Sequence, residues 1–120
     1  GPAMNGLYAT MTVQNPYLDA ASQPVRFWAT KYQTKFNEEP TVFSVYGYFI
    51  IDTFAKVAAK AGPGLNTDSF IKVMDTLTLE PDMFGGAKMT FSPTKRLGSD
   101  SSRLSQITDG KWKVVSDYFN

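Results

Sequence analysis

The longest regular element of the chain is written in Pro40-Thr41-Val42-Phe43-Ser44-Val45-Tyr46-Gly47-Tyr48-Phe49-Ile50-Ile51-Asp52-Thr53-Phe54-Ala55-Lys56-Val57-Ala58-Ala59-Lys60-Ala61-Gly62-Pro63. Pro40 ends whatever precedes it, and Thr41 is a good N-cap. Phe43, Tyr46, Phe49, Ile50, Phe54, Val57 and Ala61 make one apolar stripe at helical spacing. Val45, Tyr48, Ile51 and Ala58 widen it until little polar face is left. A helix apolar nearly all round is expected to be buried. Gly62 and Pro63 supply its stop, and Lys56 and Lys60 suit the negative end of its dipole.

On the N-terminal side, Leu7, Ala9, Met11 and Val13 alternate with Tyr8, Thr10 and Thr12 after an Asn-Gly turn signal, which predicts a strand. Residues 14–22 read as a polar loop. Asp19 or Ser22 caps a helix that starts near Pro24, carries Val25, Phe27, Trp28, Tyr32 and Phe36, and stops before Pro40. On the C-terminal side, Thr67 or Asp68 caps a third helix, Ser69 to about Leu77. Residues 87–91 alternate as a short strand. Asp109-Gly110 between two strand patterns predicts a type I′ hairpin. The predicted class is α/β, in the order β-α-α-α-β-β-β with a C-terminal hairpin.

At 120 residues the chain has one domain's length, enough to bury a core without staples. An aromatic content of 14% excludes a disordered chain. The net charge of +1 shows no nucleic-acid footprint. No apolar run approaches the roughly 20 residues of a membrane span, and no signal peptide is read in these residues. Cysteine and histidine are both absent, which removes disulfides, thiolate nucleophiles, imidazole bases and nearly all zinc sites. One expectation is awkward for a self-contained domain. Three helices and four short strands hardly supply enough surface to bury the second helix. The chain is therefore expected to be part of a larger fold or to self-associate.

The remaining polar groups have ordinary readings beside their functional ones. Glu38-Glu39 could serve acid–base chemistry only if the two faced each other, and adjacent loop residues point apart. Asp52 in the apolar helix reads as a functional carboxylate or as a cap or surface group. Lys95, Arg96 and the serines 99, 101 and 102 resemble an anion loop in composition but lack a phosphate-binding pattern. Lys111-Trp112-Lys113 fits a half-buried strand better than a single-strand nucleic-acid platform. The turn Phe43-Ser44-Val45-Tyr46-Gly47-Tyr48 is the richer candidate. Backbone N–H groups, hydroxyls and aromatic faces converge there, which suits a small organic ligand, although core packing also explains the aromatics.

The order of motifs resembles the type I periplasmic solute-binding proteins, the leucine/isoleucine/valine-binding family. Phe27-Trp28-Ala29-Thr30-Lys31-Tyr32-Gln33-Thr34-Lys35-Phe36 is similar to their aromatic helix. Glu39-Pro40, Gly47-Tyr48 and Ala61-Gly62 follow in the family's order, then Gly86 to Phe91 and Asp109-Gly110-Lys111-Trp112. Gly6-Leu7-Tyr8 resembles the strand before a crossing between lobes. The likeness runs from about Gly6 to Tyr118.

The resemblance implies a partial type I binding-protein fold. Residues 6–120 would be the C-terminal segment of a two-lobed protein, with residues 1–5 a tag remnant or fragment start. It implies a solute-binding component of an ABC transporter that captures an amino-acid-like or organic-acid solute and delivers it to a permease, with no enzymatic step and no cofactor. The alternative is a ligand-sensing ectodomain or regulatory module on the same fold. Location would be periplasmic or extracellular. Phe43 would lie over the ligand's side chain, with Ser44 and Tyr46 following by adjacency.

Overall fold

The computed structural model describes residues 1–120. Strand β1 (Tyr8–Met11) leads through a loop into helix α1 (Gln23–Phe36), then α2 (Val42–Ala61) and α3 (Thr67–Met74). The strands β2 (Thr78–Leu79), β3 (Met89–Thr90), β4 (Arg103–Thr108) and β5 (Lys111–Val114) follow. The predicted elements are all present, and β2 is added to them. It is two residues long, too short to show as a periodic pattern, and it pairs antiparallel with β3.

The helix ends follow local chemistry. Ser22 stands at the N-cap of α1 without a side-chain bond, with Pro24 in the first turn. Asn37 closes that helix in the left-handed region at φ 55°, its N–H donating to the Gln33 carbonyl at 2.8 Å. Thr41 and Ser44 form a capping box on α2: the Phe43 N–H donates to Thr41 Oγ1 at 3.2 Å, and the Thr41 N–H to Ser44 Oγ at 3.1 Å. The cap of α3 is Asn66, not Thr67 or Asp68. Its side chain takes the Ser69 N–H at 2.9 Å, and the Ser69 hydroxyl oxygen takes the Asn66 N–H.

The C-terminal hairpin has the geometry its turn residues demand, φ 53° at Asp109 and 76° at Gly110. Strand β4 lies between β5 and β1, with Ile107 opposite Trp112 and Ala9 opposite Ser105. Pairing β1 with β4 joins strands at opposite ends of the sequence. The result is an antiparallel three-stranded sheet whose central Ser105 is buried.

Apolar burial is divided between two small clusters. Val13, Val25, Val45 and Phe84 form one, with Trp28 packed edge to face on Phe84 at 5.0 Å. Val57, Leu77 and Leu79 form the other, flanked by Phe49, Phe70, Met74 and Met89. Only 11 of 120 residues are buried. The accessible surface is 7899 Å², whereas a compact 13.3 kDa chain exposes about 6400 Å². The radius of gyration is 16.6 Å against about 13.6 Å for that length.

Burial is thus split between two partial clusters, and the expected burial of α2 is corrected. That helix buries only Val45 and Val57. Ile50, Ile51 and Phe54 stand 64%, 67% and 50% exposed. These three share one helix face; Phe70 of α3 stacks on Phe54 at 5.4 Å, while Ile50 and Ile51 stay open to solvent. Residues Val42–Gly64 are also long and apolar enough to cross a membrane by length and composition, with a mean hydropathy of 1.3. This corrects the expectation that no apolar run approaches the length of a span. Asp52, Lys56 and Lys60 interrupt the run without lowering the average below a span's.

Candidate functional site

The start of α2 is fixed from behind. Pro40 is buried, and the capping box holds the first turn in place. Phe43 leaves that turn 78% exposed, and its ring meets Tyr46 edge to face with centroids 6.1 Å apart. The Tyr46 hydroxyl shares a 3.1 Å hydrogen bond with Thr12 Oγ1, just after β1. Phe43 and Tyr46 thus form one aromatic corner, braced on the crossing chain.

Ser44 is not part of that corner. Its oxygen is engaged in the cap, and its side chain faces the other way, into a groove between α1 and α2. That groove has a volume of about 800 Å³ and is lined by Trp28, Lys31, Tyr32, Lys35 and Tyr48 among others. Trp28 stacks on Tyr32 at 5.6 Å, and Tyr48 meets Trp28 at 5.6 Å from α2. Tyr46 lines a separate cavity of about 60 Å³ with Thr12, Phe49 and Met89. Phe43 lines neither. The three predicted residues therefore share one helical turn but not one cavity. The groove was legible only as the helical spacing of Trp28, Tyr32 and Phe36.

The other candidates resolve into ordinary pairs. Glu38 accepts a hydrogen bond from the Tyr32 hydroxyl at 2.9 Å. Asp52 pairs with Lys56 at 2.6 Å, one turn along, and that contact raises the Lys56 pKa. Lys95 donates to the Thr90 and Gly98 carbonyls, both at 2.8 Å, closing its own loop instead of facing an anion. Arg96 pairs with Asp75. Lys111 pairs with Asp19, whose pKa the hydrogen bond lowers, and the Trp112 N–H donates to the Tyr17 hydroxyl at 2.7 Å.

Comparison with known proteins bears on the fold. The family model described as periplasmic binding protein matches residues 1–111. No curated protein matches the chain. Among solved structures, one from Rhodospirillum rubrum, assigned as a branched-chain amino acid ABC transporter, superposes with a TM-score of 0.66 at 21% identity, covering 96% of this chain and 32% of that one. Another from Rhodopirellula baltica SH 1, assigned as a leucine/isoleucine/valine-binding protein, gives 0.61 at 21% identity, covering 97% and 31%. The chain spans about a third of the length of these solved relatives, and at such identity they show the fold alone. Nearly the whole sequence matches the family model, so the chain belongs to the periplasmic binding protein family.

Proposed function

We propose that this chain is the C-terminal segment of a two-lobed solute-binding protein, one that captures a small amino-acid-like or organic-acid solute and presents it to an ABC permease. The complete protein works in the periplasm, or outside the cell as a soluble or lipid-anchored receptor. Closure of two lobes is the working step, and no bond is made or broken. Phe43 carries the reading. An aromatic ring 78% exposed at a capped helix start, in a chain of this family, touches Tyr46 with one edge and leaves its face open. Its flat face suits the apolar side chain of a solute, and the nearby helix N-terminus favours the solute's carboxylate. The exposed apolar side of α2 is the surface on which the rest of the lobe is seated.

Thermal unfolding of the complete polypeptide tests this against a panel of amino acids and small carboxylates. A specific solute raises the melting temperature by mass action, while close analogues do not. A panel without any shift would contradict the reading.

A further inference from the structure

The β1-β4-β5 sheet and the helical layer are separate bodies joined by polar groups. Neither apolar cluster takes a residue from β1, β4 or β5. The chain passes between the two bodies twice, through residues 12–22 and 91–102. Both passages have ties of their own, Tyr17 to the Trp112 N–H and Asp19 to Lys111 on the first and Arg96 to Asp75 on the second, and the two meet beside Thr12 and Tyr118.

Thr12, leaving the sheet, shares its hydroxyl with Tyr46 of α2 and accepts on its carbonyl from the Tyr118 hydroxyl at 3.1 Å. The same Tyr118 proton is shared with the Gly85 carbonyl, the shorter branch of a three-centre hydrogen bond. Gly85 belongs to the helical body, since the adjacent Phe84 lies in its core. Tyr118 belongs to the sheet side, since Phe119 and Ser102 exchange backbone hydrogen bonds at 2.8 and 2.9 Å. The Gln14 N–H adds a bond to the Phe84 carbonyl at 2.9 Å.

Arg103, the first residue of β4, lies over the Tyr118 ring at 4.8 Å and presses on Gly85, where an added Cβ would stand 2.5 Å from its Nη2. Its buried Nε and Nη2 have no hydrogen-bond partner, so no other bond competes for those groups. A joint of this kind differs from a packed core. Its hydrogen bonds are exchangeable for water at small net cost, and breaking them opens no cavity.

We propose that Thr12 and Tyr118 form a latch that fixes the angle between the sheet and the helical layer. Breaking its bonds loosens that angle while both bodies stay folded. A role for the latch in closure around a solute rests on the solute-binding reading above; the latch itself does not. Tyr118 and Thr12 are positioning residues in this scheme, with no contact to the solute.

The absence of cysteine makes the test clean. Spin labels are placed at Lys60→Cys on α2 and Lys113→Cys on β5, and the labelled chain is diluted with unlabelled chain. The distance distribution between the labels is then measured by electron spin resonance. The parent should give one narrow peak. Tyr118→Phe, which keeps the ring under Arg103 but removes both hydroxyl bonds, should broaden it about twofold, with helical circular dichroism retained. An unchanged width would overturn the latch, even if the unfolding temperature fell, because loss of stability alone does not spread the distance. If Tyr118→Phe fails to fold, Tyr46→Phe decides in its place, since it breaks only the exposed bond to Thr12. No solute enters the measurement, so a protein that bound none would leave its outcome untouched.

Discussion

Phe43 and Tyr46 meet edge to face on the first turns of α2, their ring planes at 77°. Tyr46 is tethered through its hydroxyl to Thr12, so the ring against which Phe43 rests is itself anchored. An exposed aromatic with such a brace keeps its orientation without being buried. Less conformational freedom is then lost when a ligand packs on it.

The hairpin turn offers the simplest check on the fold. Asp109 and Gly110 both have positive φ, and a Cβ built on Gly110 meets nothing within 4 Å. The penalty of Gly110→Val is therefore conformational, about 1–3 kcal/mol. Asp109→Pro fails for the same reason, because its ring fixes φ near −65°. Chemical unfolding should show both variants destabilised. A native midpoint in both would contradict the type I′ turn.

Burial holds the Tyr118 phenol above its ordinary pKa of about 10, with the Arg103 charge opposing the shift. The folded state thus binds this proton more tightly than the unfolded chain does. The associated stability is complete below about pH 10 and is lost as the pH rises through the folded value. Tyr118→Phe removes the titrating group. Urea unfolding from about pH 8 to about pH 11 should show a shallower alkaline decline in the variant than in the parent. Parallel declines would mean that Tyr118 ionises as freely as an exposed tyrosine.

Isolated from any other polypeptide, the chain should self-associate. Its surface exceeds that of a compact chain by roughly 1500 Å², more than the roughly 800 Å² that each partner buries in a standard interface. Ile50, Ile51 and Phe54 lie at the centre of the apolar side. Sedimentation at micromolar concentration should show dimers or larger species, and Ile51→Lys with Phe54→Lys should return a monomer. A monomeric parent would count against association through α2.

Much of this fold was legible because its signals are local. Thr41, Gly62 and Asp109-Gly110 act on their immediate neighbours, and each does what its chemistry predicts. The pairing of β1 with β4 was not legible, since it depends on contacts nearly a hundred residues apart. Nor was the exposure of α2: an apolar pattern demands a covering surface but does not say which chain provides it. The site was half legible. Phe43 and Tyr46 sit together because they are three residues apart on a helix, whereas Ser44, one residue from Phe43, faces another groove. Thr12 reads only as a polar position of the first strand pattern and Tyr118 carries no signal, so only the folded chain brings them together.

Calorimetric titration of the complete protein with its best-binding solute, parent against Phe43→Ala, bears most directly on solute capture through Phe43. Losing an exposed aromatic wall should weaken binding by about 1–3 kcal/mol, or roughly 5- to 150-fold. Chemical unfolding of the same variant should change by less than about 1 kcal/mol, since the ring is 78% exposed, whereas Phe84→Ala, fully buried, should cost about 3–5 kcal/mol. Unchanged affinity in Phe43→Ala, together with a stability loss of several kcal/mol, would contradict capture through Phe43 and make the residue part of the core.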